Sequence, residues 1–201
     1  MMLHHLMGAG VPNIYLKGGV AMTGNGNDRA ISYSNLDGLY SAIGRAVALR
    51  TGSMTGGELR FLRKRLGMSQ TEITALSEKT DQVVAKWEKG MLPVPKAEAN
   101  LVRLMYLGKL GLRRDIFDSV GRLATDGSSK ECPIFVFVFS DSHWTQDDDL
   151  AMEVATMTAR RVADDAIVRA IDRSKIEVKY TLDAGPFKPV SPIEDQQIVR
   201  T

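Results

Sequence analysis

Two capping-box tetrads in close succession, Thr55-Gly56-Gly57-Glu58 and Ser69-Gln70-Thr71-Glu72, constrain this chain more than any other feature. In such a tetrad the first hydroxyl accepts the backbone N–H three residues on. The fourth side chain reaches back to the N–H of the first. Two helices must then start at known positions and in a fixed register. The first presents Leu59, Leu62 and Leu66 on one side, and Gly67 ends it. The second is short, runs through Ile73 and Leu76, and gives way to a turn at Ser77-Glu78-Lys79. Thr80 is expected to cap a third helix that reaches Lys89, with Gly90 as its stop. Beyond Pro93-Val94-Pro95 a fourth helix is expected to face the core with Ala97, Leu101, Leu104 and Met105.

Two short helices joined by a tight turn can set the second of them in the major groove of DNA. In the expected third helix Val84 and Trp87 stand three apart and should point inward. Gln82 and Lys86 stand four apart and share another, polar face. Those residue types suit base edges: a Gln amide bonds adenine bidentately, and a Lys ammonium reaches guanine O6 and N7. Asp81 can accept from cytosine N4 or cap its helix, and capping is the stronger expectation. Gln70, beside the free N–H groups of a helix start, is placed to donate to a phosphate.

At these residues the segment RFLRKRLGMSQTEITALSEKTDQVVAKWEKG resembles the phage-repressor and Cro class of helix-turn-helix proteins, the XRE family. Arg63, Leu66, Gly67, Ser69, Gln70, Ile73, Val84, Glu88 and Gly90 fall on that pattern without a gap. The resemblance implies a structural salt bridge between Arg63 and Glu88. It implies a phosphate contact for Gln70, and base-facing positions for Asp81, Gln82 and Lys86. Ser69, Thr80 and Lys89 complete the expected DNA-binding set. A wider stretch, through IYLKGG, LDGLYSAIGRA, MTGGELRFLRKRLGMSQ and VAKWEKG, is similar to regulators related to the MqsA (YgiT) antitoxins. Those antitoxins carry a zinc module built on CxxC pairs. This chain has a single cysteine, so metal binding does not carry over. The pattern also differs at the turn, where Ser77, Glu78 and Lys79 replace an apolar-Gly-apolar step, and at Thr74, which replaces a small Ala. A left-handed Glu78 would cost on the order of 1 kcal/mol relative to Gly.

The flanks read differently. In residues 1–54 a short strand at residues 14–16 and the turn Gly24-Asn25-Gly26-Asn27-Asp28 suggest a hairpin. A helix bearing Leu39, Ile43, Ala46 and Val47 should follow and break at Gly52-Ser53. In residues 115–201 the β-branched and aromatic run at 134–139 predicts a strand. Asp147-Asp148-Asp149 suits a helix N-terminus, and the helix should extend to Ala170. Residues 176–182 alternate like a second strand, and the tail with Pro186, Pro189 and Pro192 reads as loose. The expected fold is mainly α with small β additions. It comprises an N-terminal αβ segment (1–54), a lambda-repressor-like helix-turn-helix bundle (55–114) and an acidic α+β region (115–201).

Charge divides along the same line. Residues 1–114 hold 16 Lys and Arg against 8 Asp and Glu, a net +8, and residues 115–201 hold 10 against 16, a net −6. A basic front suits an anionic polymer such as DNA, although two solvated faces would look the same. The apolar positions Leu150, Val154, Met157, Val162, Ile167 and Ile171 either pack on the 134–139 strand or seat a partner or a second copy. Other constellations point nowhere: His4, His5 and His143 are scattered, and the early glycines lack a phosphate-loop Lys-Ser/Thr ending. Cys132 precedes a proline and an apolar strand with no base nearby, and the aspartates lack calcium-loop spacing. No catalytic constellation, cofactor or metal is therefore expected. No apolar run reaches membrane-spanning length, no signal peptide is read, and the lone cysteine fits a reducing cytoplasm. The expected partners are double-stranded DNA and a second copy of the chain, with a protein partner for residues 115–201. The leading expectation is an operator-binding transcriptional regulator. The alternative is an antitoxin-like module that neutralises a toxin and regulates its own operon.

Overall fold

A computed structural model describes residues 3–24, 30–77, 79–112 and 134–162. Five helices in the first part of the chain follow the sequence signals closely. Helix α1 spans Leu36–Leu49 and is capped by Asn35, which sits left-handed at φ 45° while its side chain accepts from the Gly38 N–H. Asn tolerates this region better than most residues because its short side chain bonds locally. Helix α2 spans Gly56–Leu66 behind the Thr55–Glu58 capping box, and Gly67 at φ 81° closes it. Helices α3 (Gln70–Ser77) and α4 (Asp81–Glu88) are short, and α5 (Lys96–Lys109) completes the set. Glu78, in the α3–α4 turn, lies outside the described residues.

The helices bury one continuous apolar core. Leu39, Ile43 and Val47 of α1, Leu59 and Leu62 of α2, Ile73 of α3, and Val84 and Trp87 of α4 are all buried in it. The inward positions expected in α1, α2 and α4 are therefore observed, with Leu66 of α2 only partly buried against the core. In α5 the expected stripe is displaced: Ala97 and Leu101 are exposed, while Ala99, Val102, Arg103, Tyr106 and Leu107 are buried. Tyr106 and Arg103 are buried whole, polar ends included, which a purely apolar periodicity does not anticipate. Gly44 explains part of this orientation. A Cβ there would overlap the Tyr106 hydroxyl, so α1 and α5 approach closely only because that side chain is missing.

The strands are arranged less locally. A four-stranded sheet runs in the order β1 (His4–His5), β2 (Ile14–Lys17), β5 (Phe135–Ser140), β6 (His143–Gln146), and β3 (Val20–Thr23) pairs separately with β4 (Ala30–Tyr33) as a hairpin. Strands β2 and β5 are parallel, with Ile14 opposite Phe135 and Leu16 opposite Phe137. All five helices lie in the connection between them. Ile14, Leu16, Phe135, Val136 and Phe137 are buried, as expected of a parallel pair covered on both faces. Helix α1 packs on β5 and β6. The Trp144 indole of β6 donates to the Ser34 carbonyl at 2.8 Å.

This pairing changes the domain boundaries. Strands β5 and β6, expected in a separate 115–201 region, complete a sheet begun in residues 1–54. The compact units are residues 1–152 and 153–201, and neither 54 nor 114 divides them. A long-range strand pairing leaves no mark in local periodicity, so the sequence could not announce it. Asp147 caps the helical residues 148–152 that close the first unit, accepting from the Leu150 N–H at 2.9 Å. In the second unit residues 153–162 are helical, with Met157 and Val162 exposed. The rest of the helix expected to reach Ala170, the strand expected at 176–182, the proline-bearing tail and Cys132 lie outside the described residues. Among the described residues no helix is long and apolar enough to cross a membrane. The architecture is thus mixed, with helices predominating over two small sheets.

Candidate nucleic-acid interface

Helix α4 is held by its buried face. Val84 is fully buried and Trp87 nearly so. The Trp87 carbonyl lies so close to Gly56 that any Cβ at that position would overlap it. The start of α2 therefore seats directly on the end of α4. The capping box that begins α2 is itself buried: Glu58 accepts from the Thr55 N–H and hydroxyl, and Arg50 Nη2 bridges its two oxygens at 2.9 and 2.7 Å. Arg103 stands beside this pair, donating to the Gly52 carbonyl at 3.1 Å. Burial and the neighbouring Arg50 charge pull its pKa down to about 10.

A second polar network fixes α4 against α2 and α3. Arg63 donates from Nε to Glu88 Oε1 at 2.5 Å and from Nη2 to Oε2 at 3.1 Å, and from Nη1 to the Met68 carbonyl at 2.6 Å. Both side chains are at most 10% exposed. Gln70, the first residue of α3, donates from Nε2 to Glu88 Oε2 at 2.9 Å. Burial would raise the Glu88 pKa, but the hydrogen bonds from Arg63 and Gln70 and the charges of Arg63 and Arg60 outweigh it and hold it below the ordinary carboxylate value. The ion pair expected from the resemblance is thus formed, with Gln70 as an additional member. One Gln70 N–H is committed to Glu88. An amide nitrogen carries two hydrogens, so the other can still meet a phosphate.

At the opposite end of α4, Asp81 makes contacts that neither sequence expectation named. Its carboxylate accepts from the Thr71 hydroxyl at 3.3 Å and lies 3.1 Å from the Thr74 hydroxyl, whose single hydrogen also has the Thr71 carbonyl at 2.6 Å; both residues are on α3. Thr80 occupies the N-cap position of α4 but makes no capping hydrogen bond with its side chain. The two short helices are therefore stitched together by Asp81 rather than capped by Thr80.

The exposed side of this unit gathers the remaining expected residues. Gln82, Lys86 and Lys89 are exposed on α4 and at its C-cap, spaced four and three apart along one stripe. Ser69 and Thr80 are exposed as well. Ser69 is already occupied as a cap, since its N–H and hydroxyl meet Glu72 Oε2 at 2.6 and 2.8 Å. These bonds, from the Ser69 backbone first and its hydroxyl second, lower the Glu72 pKa. The helix start still offers the N–H groups of Gln70 and Thr71, which have no intrahelical acceptor. Two more cations, Arg60 and Lys64, stand exposed on α2 and were not among the sequence candidates. Among the described residues no group of three His, Cys, Asp or Glu is placed to hold a metal ion. Comparison with known proteins finds no matching family model, no matching curated protein and no matching solved structure.

Proposed function

We propose that the chain is a sequence-specific DNA-binding transcriptional regulator in which α3 and α4 act as a helix-turn-helix unit and α4 enters the major groove. One observation carries the reading. Gln82, Lys86 and Lys89 form an exposed donor stripe on a short helix whose other face, Val84 and Trp87, is locked in the core. A groove-reading helix needs that combination, because base recognition requires donors held in a fixed register. The Glu88 and Asp81 networks supply the rigidity, and the start of α3 offers backbone N–H groups for a phosphate. The surplus of 16 cations over 8 anions in residues 1–114 favours the encounter. Binding is proposed to be as a symmetric dimer on two half-sites. The test is selection of bound duplexes from a random library. Recovery of a palindromic consensus supports the reading, and recovery of unselected sequence refutes it.

The second reading, an antitoxin-like protein-binding module, draws on a different observation. Met157 and Val162 are exposed on the helical residues of the second unit, within a region whose net charge is −6. Exposed apolar residues within an acidic region suit a protein partner better than a nucleic acid. Co-purification of a stoichiometric small protein that loses its activity in the complex would favour this reading.

A further inference from the structure

A cleft of about 650 Å³ opens between the N-terminal glycines, Gly8 and Gly10, and the outer face of α2. Its size is that of a small-molecule site. Arg60 and Lys64 line it, four residues apart on α2, both exposed. Neither side chain enters a salt bridge or hydrogen bond among the described residues, although the Arg60 charge acts at a distance on Glu88. The other charges at the cleft have ion-pair partners: Glu88 is held by Arg63, and Arg65 by Asp37 at 2.9 Å, while the buried Arg65 Nε has no hydrogen-bond partner among the described residues. The wall between them is aromatic, with Phe61 and Tyr40 edge to face at 6.0 Å. Opposite lies bare backbone. Gly10 is at φ 76°, and its carbonyl rests where a Cβ of Gly57 would be, so this rim depends on glycine on both sides.

We propose that this cleft binds a small phosphorylated organic anion, with Arg60 and Lys64 holding the phosphate and Phe61 and Tyr40 bordering the organic part. Two unpaired cations at helical i, i+4 spacing can both reach one phosphate, whose three oxygens accept charge-assisted hydrogen bonds. The apolar wall distinguishes the site from a bare anion patch. The inference does not depend on operator recognition, since the Gln82–Lys86–Lys89 stripe takes no part in it.

Calorimetric titration of the full chain at low salt with inorganic phosphate, pyrophosphate and AMP tests it. AMP is expected to bind saturably, more tightly than inorganic phosphate. The Arg60→Gln/Lys64→Gln double variant should weaken it at least about tenfold. Lys89→Gln, on the α4 stripe, should leave it unchanged. Both altered residues of the double variant are exposed, and its thermal midpoint should match that of the parent chain. Absence of saturable binding for all three probes overturns the proposal, as does binding that the double variant leaves intact or that Lys89→Gln weakens equally. Equal affinity for AMP and inorganic phosphate overturns the organic part. A short random-sequence duplex supplies the last arm. If the double variant loses affinity for the duplex and keeps it for AMP, the two cations serve nucleic-acid phosphates and the small-molecule site is refuted.

Discussion

Arg63 and Glu88 meet as a two-point pair across 25 residues of sequence, Nε to Oε1 and Nη2 to Oε2, with both side chains almost out of solvent. Arg63 belongs to α2 and Glu88 to the last turn of α4, so the pair sets the distance between the exposed stripe of α4 and the core helix beneath it. Removing one partner strands the other in a poorly solvated site. Glu88→Ala is expected to cost about 3 kcal/mol of folding stability, measured by urea denaturation. An unchanged midpoint would mean the pair contributes nothing.

The same carboxyl predicts a pH dependence. Its folded pKa is depressed, with burial opposing and the Arg63 and Gln70 hydrogen bonds prevailing. Its contribution is therefore fully present above the ordinary carboxylate value of 4.5 and is lost as pH falls through the lower folded value. Stability curves of the parent chain and Glu88→Gln should converge on acidification below that value. Parallel curves would remove Glu88 from the acid transition.

Gln82→Ala and Lys86→Ala should each weaken binding to a selected operator by roughly 1–3 kcal/mol and relax base preference at one position. Gel-shift titrations on specific and random duplexes check this. Equal loss on both would limit the residues to backbone contacts.

Asp81→Ala should lower stability by about 1 kcal/mol, since the Thr71 hydroxyl loses its acceptor and Thr74 keeps only the Thr71 carbonyl. Thr74→Ala should add less than its own single effect when combined with it. A change in base preference without loss of stability would instead return Asp81 to the base-reading set.

Gly56→Ala should destabilise by about 1–3 kcal/mol, because the new methyl overlaps the Trp87 carbonyl and α2 must move off α4. Gly67→Ala is a useful contrast: its φ of 81° is unfavourable, yet nothing lies within 4 Å of the added carbon. Thermal melting of both variants separates steric overlap from backbone strain. A smaller loss for Gly56→Ala than for Gly67→Ala would contradict the close approach.

What the sequence determined alone is local. Thr55, Glu58, Ser69 and Glu72 set the starts of α2 and α3, and Gly67 the end of α2, because each acts through groups three or four residues away. The inward pair Val84 and Trp87 and the outward pair Gln82 and Lys86 follow from helical period in the same way. The resemblance to helix-turn-helix regulators suggested Arg63 and Glu88 as partners, and their two-point geometry became visible only in the folded chain. Tertiary structure decided the rest. The parallel pairing of residues 14–17 with 135–138 bridges over a hundred residues, and any long apolar strand could have answered to β2 by composition. The burial of Arg103 instead of Leu101 depended on which face of α5 met α1 and α2, where Gly44 admits Tyr106. Asp81 found Thr71 and Thr74 because α4 packs against α3. Contacts across a turn or a sheet are chosen by the sum of all packing, which no window of local sequence contains.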